Sequence, residues 1–254
     1  MYMNKINLQC MKVRQSAANK LSNEQIQVLI TGKFGDGYFN PNSRAKYHPE
    51  MNFNYHYSTN CIFKEYIEYK RKLLGDLCNT QVKESINSGY KRNLIYSIKS
   101  ICDKRITDIA CESIQDSLYR MNELGLALWF FDDGSLHKTK SFYNLNTQCY
   151  SKDVVESILA PFLMERFNIR AVPTIERKKD GREFWYLRIG KFDGAFKISE
   201  ILAKHNLKCF DYKLISSETI QKWSKLQEEL KSADIDIKDL SNYSLGMKMR
   251  KVSI

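Results

Sequence analysis

The chain has 254 residues, 43% of them hydrophobic and 12% aromatic, with only 4 prolines. That is enough for one large domain or two small ones with real cores, and it excludes disordered and collagenous classes. The longest apolar run, Leu124 to Phe131, is far short of the ~18 residues that cross a bilayer. The charged start MYMNKINLQCMKVRQ lacks the apolar stretch of a secretion signal. No membrane partner and no secretion are expected; the compartment expected is a reducing intracellular one, a bacterial or phage-infected cytoplasm or an organelle matrix. Seven cysteines without a C-x-x-C pair argue against a zinc ribbon or a disulfide framework and read as thiols, mostly core filler.

The net charge is +11 with a pI near 9.2. The excess is uneven: residues 1–100 carry 15 basic and 7 acidic side chains, and residues 101–150 carry 5 and 7. A strongly basic chain with 15 tyrosines has the footprint of a phosphate-backbone partner.

After an extension over residues 1–20, QIQVLITGKFGDGYF (25–39) reads as an apolar helix that ends in an acid and a glycine, and LGLALWFFDDGSL (124–136) repeats the plan. Ser22 with Gln25 offers a capping box, Asn122-Glu123 starts the second helix, and Gly37 and Gly134 are placed to end the helices in a left-handed conformation. Each acid then sits at a helix C-terminus, where the macrodipole disfavours negative charge and no structural need calls for a carboxylate. Leu29, Gly32 and Asp36 share a face, and Gly32 with Gly35 leaves a strip open to another backbone. On the second helix Asp133 shares a face with Leu126; Asp132 points ~100° away and reads as a supporting or solvent-facing residue.

The strands MNFNYHYST (51–59) and YNLNTQCYS (143–151) match at a shift of 92, which sets Asn52 on Asn144, Asn54 on Asn146 and Thr59 on Ser151, the last two as helix caps. The same shift matches the turn at 87–89 with that at 179–181, and Ile109 with Ile201; with one residue of gap, Arg120 lies near Lys213. The reading is α+β: two pseudo-symmetric αββαββα halves, 1–121 and 122–215, followed by a C-terminal helix and basic tail over 216–254, with Ile220, Trp223 and Leu226 on the apolar face of that helix.

Asp36 and Asp133 as neighbours at a helix seam would repel, and divalent cations are the natural remedy. Hard oxygen ligands, a basic surface and a pseudo-dyad fit metal-assisted hydrolysis of phosphodiesters in duplex DNA, whose own local dyad lets each acid address one strand. Strand alternation places Lys91, Asn93, Ser97 and Lys99 on one face, and Arg182, Tyr186 and Arg188 on another. With Asn52, Asn54, Asn144 and Asn146 these are the candidates for base and phosphate contacts, and the hairpin tip with Arg177, Lys178, Lys179 and Arg182 is a phosphate-contact candidate.

The segments LITGKFGDGYF and LGLALWFFDDG resemble the LAGLIDADG homing endonucleases, and the LNTQ strand and FDYK segment resemble the monomeric, two-motif members; the resemblance covers residues 20–215. It implies a saddle of two sheets in the DNA major groove and cleavage of both strands across the minor groove. Two or more Mg²⁺ ions are implied, Mn²⁺ being able to substitute, with Asp36 and Asp133 as the metal-binding catalytic acids. Lys213 matches the family's basic residue near the active-site water, with Arg120 as its repeat mate or Lys104 if the register differs. His56 and Gln148 take the strand position near the metal site. Thr31, where the family prefers glycine, and Lys33, where it prefers an apolar residue, depart from the pattern; with both acids present, activity is expected. The rival readings are an intron maturase that binds intron RNA on the same scaffold and a non-catalytic DNA-binding protein.

Overall fold

The computed structural model describes residues 20–46, 51–86, 93–139, 142–190, 194–205 and 207–232. Lys91, the turn at 87–89 and the basic tail lie outside the described residues. The elements run α1 (Asn23–Phe34), β1 (Gly37–Pro41), β2 (Tyr55–Cys61), α2 (Lys64–Leu74), β3 (Lys83–Ile86), β4 (Leu94–Lys99), α3 (Lys104–Cys111), α4 (Ile114–Arg120) and α5 (Glu123–Asp133). They continue as β5 (Gly134–Leu136), β6 (Phe142–Asn146), α6 (Lys152–Val154), a π-helical turn over Val155–Leu159, α7 (Ala160–Phe167), β7 (Val172–Arg177), β8 (Glu183–Gly190), α8 (Phe196–Ala203) and α9 (Ser217–Ser232).

The duplication is plain in the two four-stranded antiparallel sheets, ordered β1-β2-β4-β3 and β5-β6-β8-β7. The chain divides into two compact units, residues 1–133 with 207–209 and residues 134–206 with 210–254. The helix of the second repeat therefore belongs to the first unit, because α5 packs on α1. The sequence repeat at 121 and the spatial division at 133 describe different things.

Register corrects the shift of 92. Gly37 pairs with Thr59 and Ser58 with Lys99; Gly134 pairs with Leu145 and Asn144 with Arg188. Thr59 thus corresponds to Leu145, and Lys99 to Arg188. The cause is the connection between the first two strands of each sheet, which runs over 42–54 in the first and 137–141 in the second. Asn52 and Asn54 consequently lie in the loop before β2, not in a strand, and the Asn54 carbonyl accepts from Asn42 N at 3.1 Å. Thr59 is a buried strand residue and caps nothing; α2 starts after Phe63 with no side-chain cap. Ser151 does cap, accepting from Val154 N.

The other sequence features fall as read or with a clear reason for the difference. Ser22 and Gln25 form the complete capping box, and the Asn122 side chain accepts from Gly125 N at 3.1 Å. Neither Gly37 nor Gly134 has a positive φ. Gly37 is needed for space instead: a β-carbon there would lie 2.4 Å from Gly32 Cα. Gly181 alone of the hairpin tip needs its freedom, with φ 83° in the turn that Lys178 N and the Arg182 carbonyl close at 2.9 Å. In α9, Trp223 packs on Phe196 of α8 at 4.6 Å between ring centroids. Of the cysteines, Cys78 is buried, Cys61 and Cys209 are partly covered, and Cys102 and Cys149 are exposed. Cys111 is disulfide-bonded rather than a thiol.

Candidate active site

α1 and α5 both bury an apolar stretch, Val28, Leu29 and Ile30 on one and Leu126 to Phe131 on the other, and α1 also buries Gln25, Gln27 and Thr31. They run in the same direction, held at three levels. At the start, the buried Gln27 donates to the Arg120 carbonyl and accepts from Asn122 N, both at 3.0 Å, and its side chain fills the place a β-carbon on Gly125 would need. Further on, the ring of Phe34, the last residue of α1, meets that of Trp129 in a tilted contact at 5.2 Å between centroids. At the end, Gly35 lies against Asp132, so close that a β-carbon at 35 would be 2.7 Å from the Asp132 side chain.

Asp36 follows Gly35 in the turn after α1, and Asp133 follows Asp132 as the last residue of α5. Each acid is therefore one Cα step, ~3.8 Å, beyond a point of contact between the two helix ends. The seam brings them to the same end of the helix pair. Asp36 stands just outside its helix rather than on the helix face that includes Leu29. The side chain that Gly32 lacks leaves room for the ring of Tyr57 from β2.

Asp132 is not a solvent-facing residue. Its side chain is 1% exposed and forms an ion pair with Lys70 of α2, also 1% exposed, at 2.8 and 2.9 Å. The Tyr66 hydroxyl donates to the same carboxylate at 2.7 Å. Burial opposes the Lys70 charge, but Asp132 more than offsets it and holds the ammonium firmly protonated, with Asp36 adding to the effect. Burial and Asp132 together push the Tyr66 hydroxyl well above its usual range. Sequence reasoning missed this group. Its signal was the stripe Tyr66, Ile67, Lys70, Leu74 at i, i+1, i+4, i+8, which sets a lysine on the face that α2 buries.

The departures in the first motif have structural reasons. Thr31 is fully buried and donates its hydroxyl proton to the Gln27 carbonyl of its own helix, with the Val28 carbonyl 3.2 Å away. Lys33 caps the end of α3 and the turn after it, donating to the carbonyls of Ile109 at 3.1 Å and Glu112 at 2.5 Å and to Ser117 Oγ at 2.9 Å. Burial pulls its ammonium down to about 8.

The remaining predicted residues lie on several different elements. Arg120 closes α4 and pairs with Glu112 at 2.6 Å, while its carbonyl serves Gln27 near the start of α1. That is nine residues, ~13 Å along a helix, before Asp36. Lys104 pairs with Asp108 at 2.6 Å. Lys213 is buried in the second unit, its ammonium 5.0 Å from the centre of the Phe210 ring and its carbonyl bound by the Tyr143 hydroxyl. His56 is buried in β2 opposite Asn40, at the end of the strand pair away from Gly37, and burial with the Lys99 charge lowers its pKa. Gln148 lies beyond β6, donating to Glu176 at 3.1 Å. Register equates it with Ile62, so His56 and Gln148 are not counterparts.

Each sheet has one face of mixed polar character. In the second, Asn144, Asn146, Tyr186 and Arg188 share a face. The Arg188 guanidinium lies over Phe142 at 4.7 Å and donates to the Tyr186 hydroxyl at 3.0 Å. Asn144 Oδ1 and Arg188 Nε, cross-strand neighbours, are buried without a hydrogen-bond partner. In the first, Asn93 is exposed just before β4 and Lys99 is exposed at its end. At the hairpin tip Arg177 pairs with Glu183, Lys178 with Glu176, and Arg182 with Asp180, so three of its four cations already hold an acid.

Two carboxylates suit a hard divalent cation that draws its other ligands from water and substrate phosphate. Among the described residues no cluster of three or more His, Cys, Asp or Glu could hold an ion alone, and Asp132 is committed to Lys70 and Tyr66. Asp36 and Asp133 are the residues that fit.

Comparison with known proteins agrees with this architecture. No curated protein matches the sequence. Among solved structures, the homing endonuclease I-WcaI bound to its DNA recognition sequence aligns over 78% of this chain and 88% of its own, with 20% identity and a TM-score of 0.63. I-DmoI in complex with DNA and Mn aligns over 72% of this chain and 98% of its own, with 14% identity and a TM-score of 0.46. The profile of the LAGLIDADG DNA endonuclease family matches residues 26–195, and the chain belongs to that family.

Proposed function

We propose that this protein is a sequence-specific endonuclease that hydrolyses both strands of duplex DNA with divalent metal, acting as a single chain because it carries both motifs. The observation that carries the reading is the convergence of the ends of α1 and α5, which brings Asp36 and Asp133 to one end of a buried seam. A negative charge at a helix C-terminus is unfavourable, and two together are more so. Such an arrangement is retained where a cation and a phosphate complete it.

Bound Mg²⁺ would supply charge stabilisation at the attacking and leaving oxygens of the phosphodiester. The chain's own part is to hold the two carboxylates at the ends of buried helices and to keep Asp132 out of competition through Lys70. The polar sheet faces fix the duplex: Asn144, Asn146, Tyr186 and Arg188 address base edges, and Lys99, Lys178 and Lys179 address phosphates. Arg188, propped on Phe142 and Tyr186, has the planar fork that reads guanine in the major groove.

The test is cleavage selection from a randomised duplex library with Mg²⁺ or Mn²⁺, in parallel with EDTA. Recovery of one long site cut on both strands, lost in EDTA and in Asp36→Asn and Asp133→Asn, supports the reading. Cleavage that persists in EDTA or in both variants overturns it; binding of a site with no cutting under any metal identifies a non-catalytic DNA-binding protein.

A further inference from the structure

Outside the two acids, the most unusual group in the first unit is the buried ion pair beside them. Lys70 reaches Asp132 from α2, Tyr66 bonds the same carboxylate, and the Lys70 ammonium lies over the Tyr66 ring at 4.5 Å. The Tyr66 hydroxyl oxygen also lies 3.2 Å from the Leu128 carbonyl, so one residue touches both the side chain and the backbone of the last turns of α5. Asp132 in turn fills the space over Gly35. A single chain of contacts thus runs from α2 through the end of α5 to the residue before Asp36.

The pair has no mate in the repeat. The position of Asp132 in the first motif is Gly35, which has no side chain. Hydrophobic packing could close the seam without ions, and a buried ion pair seldom stabilises more than apolar residues of equal volume. What apolar residues cannot supply is a directional link with a fixed positive charge beside two carboxylates.

We propose that Lys70 and Tyr66 are positioning residues that act through Asp132: they lock the C-terminal turn of α5 against Gly35 and so hold Asp36 and Asp133 in the geometry that receives divalent cations. Lys70 also reserves Asp132, which keeps a third carboxylate from drawing the ion off the seam. The inference rests on the metal-dependent reading above, and its test separates the two.

Three variants are compared with the parent: Lys70→Met, Lys70→Met with Asp132→Leu, and Tyr66→Phe. Folding is followed by thermal unfolding, ion binding by tryptophan-sensitised terbium luminescence with Asp36→Asn/Asp133→Asn as the blank, and cleavage by kcat and KM for DNA. The expected result is that the double variant regains the parent's Tm while its terbium midpoint rises at least fivefold and its kcat falls at least tenfold at unchanged KM. Tyr66→Phe, which removes one hydroxyl, is expected to keep the parent's Tm and to raise the terbium midpoint about threefold. A parent-like terbium midpoint in the folded double variant overturns the proposal; should that variant not fold, a parent-like midpoint in Tyr66→Phe does so. A parent that cuts no DNA refutes the nuclease reading alone, because the terbium midpoints still decide the positioning role. A parent that binds no terbium above the blank overturns both.

Discussion

Gly35 and Asp132 touch across the helix seam: a β-carbon on Gly35 would lie 2.7 Å from both Cβ and Oδ2 of Asp132. Asp132 cannot give way, because Lys70 and Tyr66 hold its carboxylate. A methyl group at 35 must therefore push the two helix ends apart. Gly35→Ala is expected to cost about 1–3 kcal/mol, as overpacking does in close-packed interiors, and to lower cleavage far more than its effect on DNA binding. Urea unfolding with gel-shift and cleavage assays on one preparation checks both; unaltered turnover would show that the acids do not depend on this contact.

The buried pair itself makes a separate prediction about stability. Removing one partner strands a charge with no water to receive it, so Lys70→Met is expected to lose about 3–5 kcal/mol. Lys70→Met with Asp132→Leu should recover most of that loss. Chemical denaturation of the two variants beside the parent decides it, and a double variant as unstable as the single would mean that the ion pair is a net source of stability.

How far the sequence revealed this molecule follows from the kind of signal each feature carries. The two motif helices, their caps at Ser22 and Asn122, and the acid at each end were legible because apolar runs and capping residues are local. The strand register was not. A shift of 92 runs through a connection whose length differs between the repeats, and it sets Asn54, His56 and Thr59 on the wrong counterparts. Lys70 was invisible for another reason: the partner that makes a buried lysine tolerable is 62 residues away in sequence. Only the third dimension pairs them. Lys33 likewise reads as a flaw in the motif until the carbonyls of Ile109 and Glu112 are seen around it.

Lys33 gives stability a particular pH dependence. Its ammonium is pulled from 10.5 down to about 8 by burial, so between those values the folded chain holds the proton less than the unfolded chain does. Stability contributed by this group therefore rises with pH from about 8 to 10.5 and is flat below. The tyrosines raised by burial, Tyr57, Tyr66 and Tyr143, act in the opposite direction above pH 10, where the unfolded chain loses its protons first. The difference in urea midpoint between the parent and Lys33→Met isolates the lysine; a difference that does not change between pH 7.5 and 10 would contradict the assignment.

Arg120 separates the structural account from the role implied by family resemblance. Its guanidinium is spoken for by Glu112, and its contact with α1 is through the backbone carbonyl, which any residue supplies. The ion pair is partly open to solvent, so Arg120→Ala is expected to cost no more than about 1 kcal/mol. Cleavage by the variant should stay within a factor of about two, because the side chain is near the opposite end of α1 from Asp36 and the activation barrier is then scarcely changed. A loss of tenfold or more in kcat at unchanged stability would return Arg120 to the catalytic group.

The hairpin tip makes the last prediction, through salt. Lys178 and Arg182 must leave Glu176 and Asp180 before they can meet a phosphate, and those acids keep the local field low in the free protein. Exchange of one partner for another contributes less than a free cation does. Lys179→Ala is therefore expected to flatten the slope of log K against log salt by about 0.9, the value for one phosphate neutralised on duplex DNA. Lys178→Ala should change the slope by less, and Glu176→Gln should steepen it by freeing Lys178. Binding isotherms from 50 to 200 mM salt on target and random duplexes resolve such changes. Equal weakening on both DNAs marks the contact as one to the backbone. If Lys179→Ala leaves the slope as it was, the tip lies outside the DNA interface and the polar face built on Asn144 and Arg188 must account for binding by the second sheet.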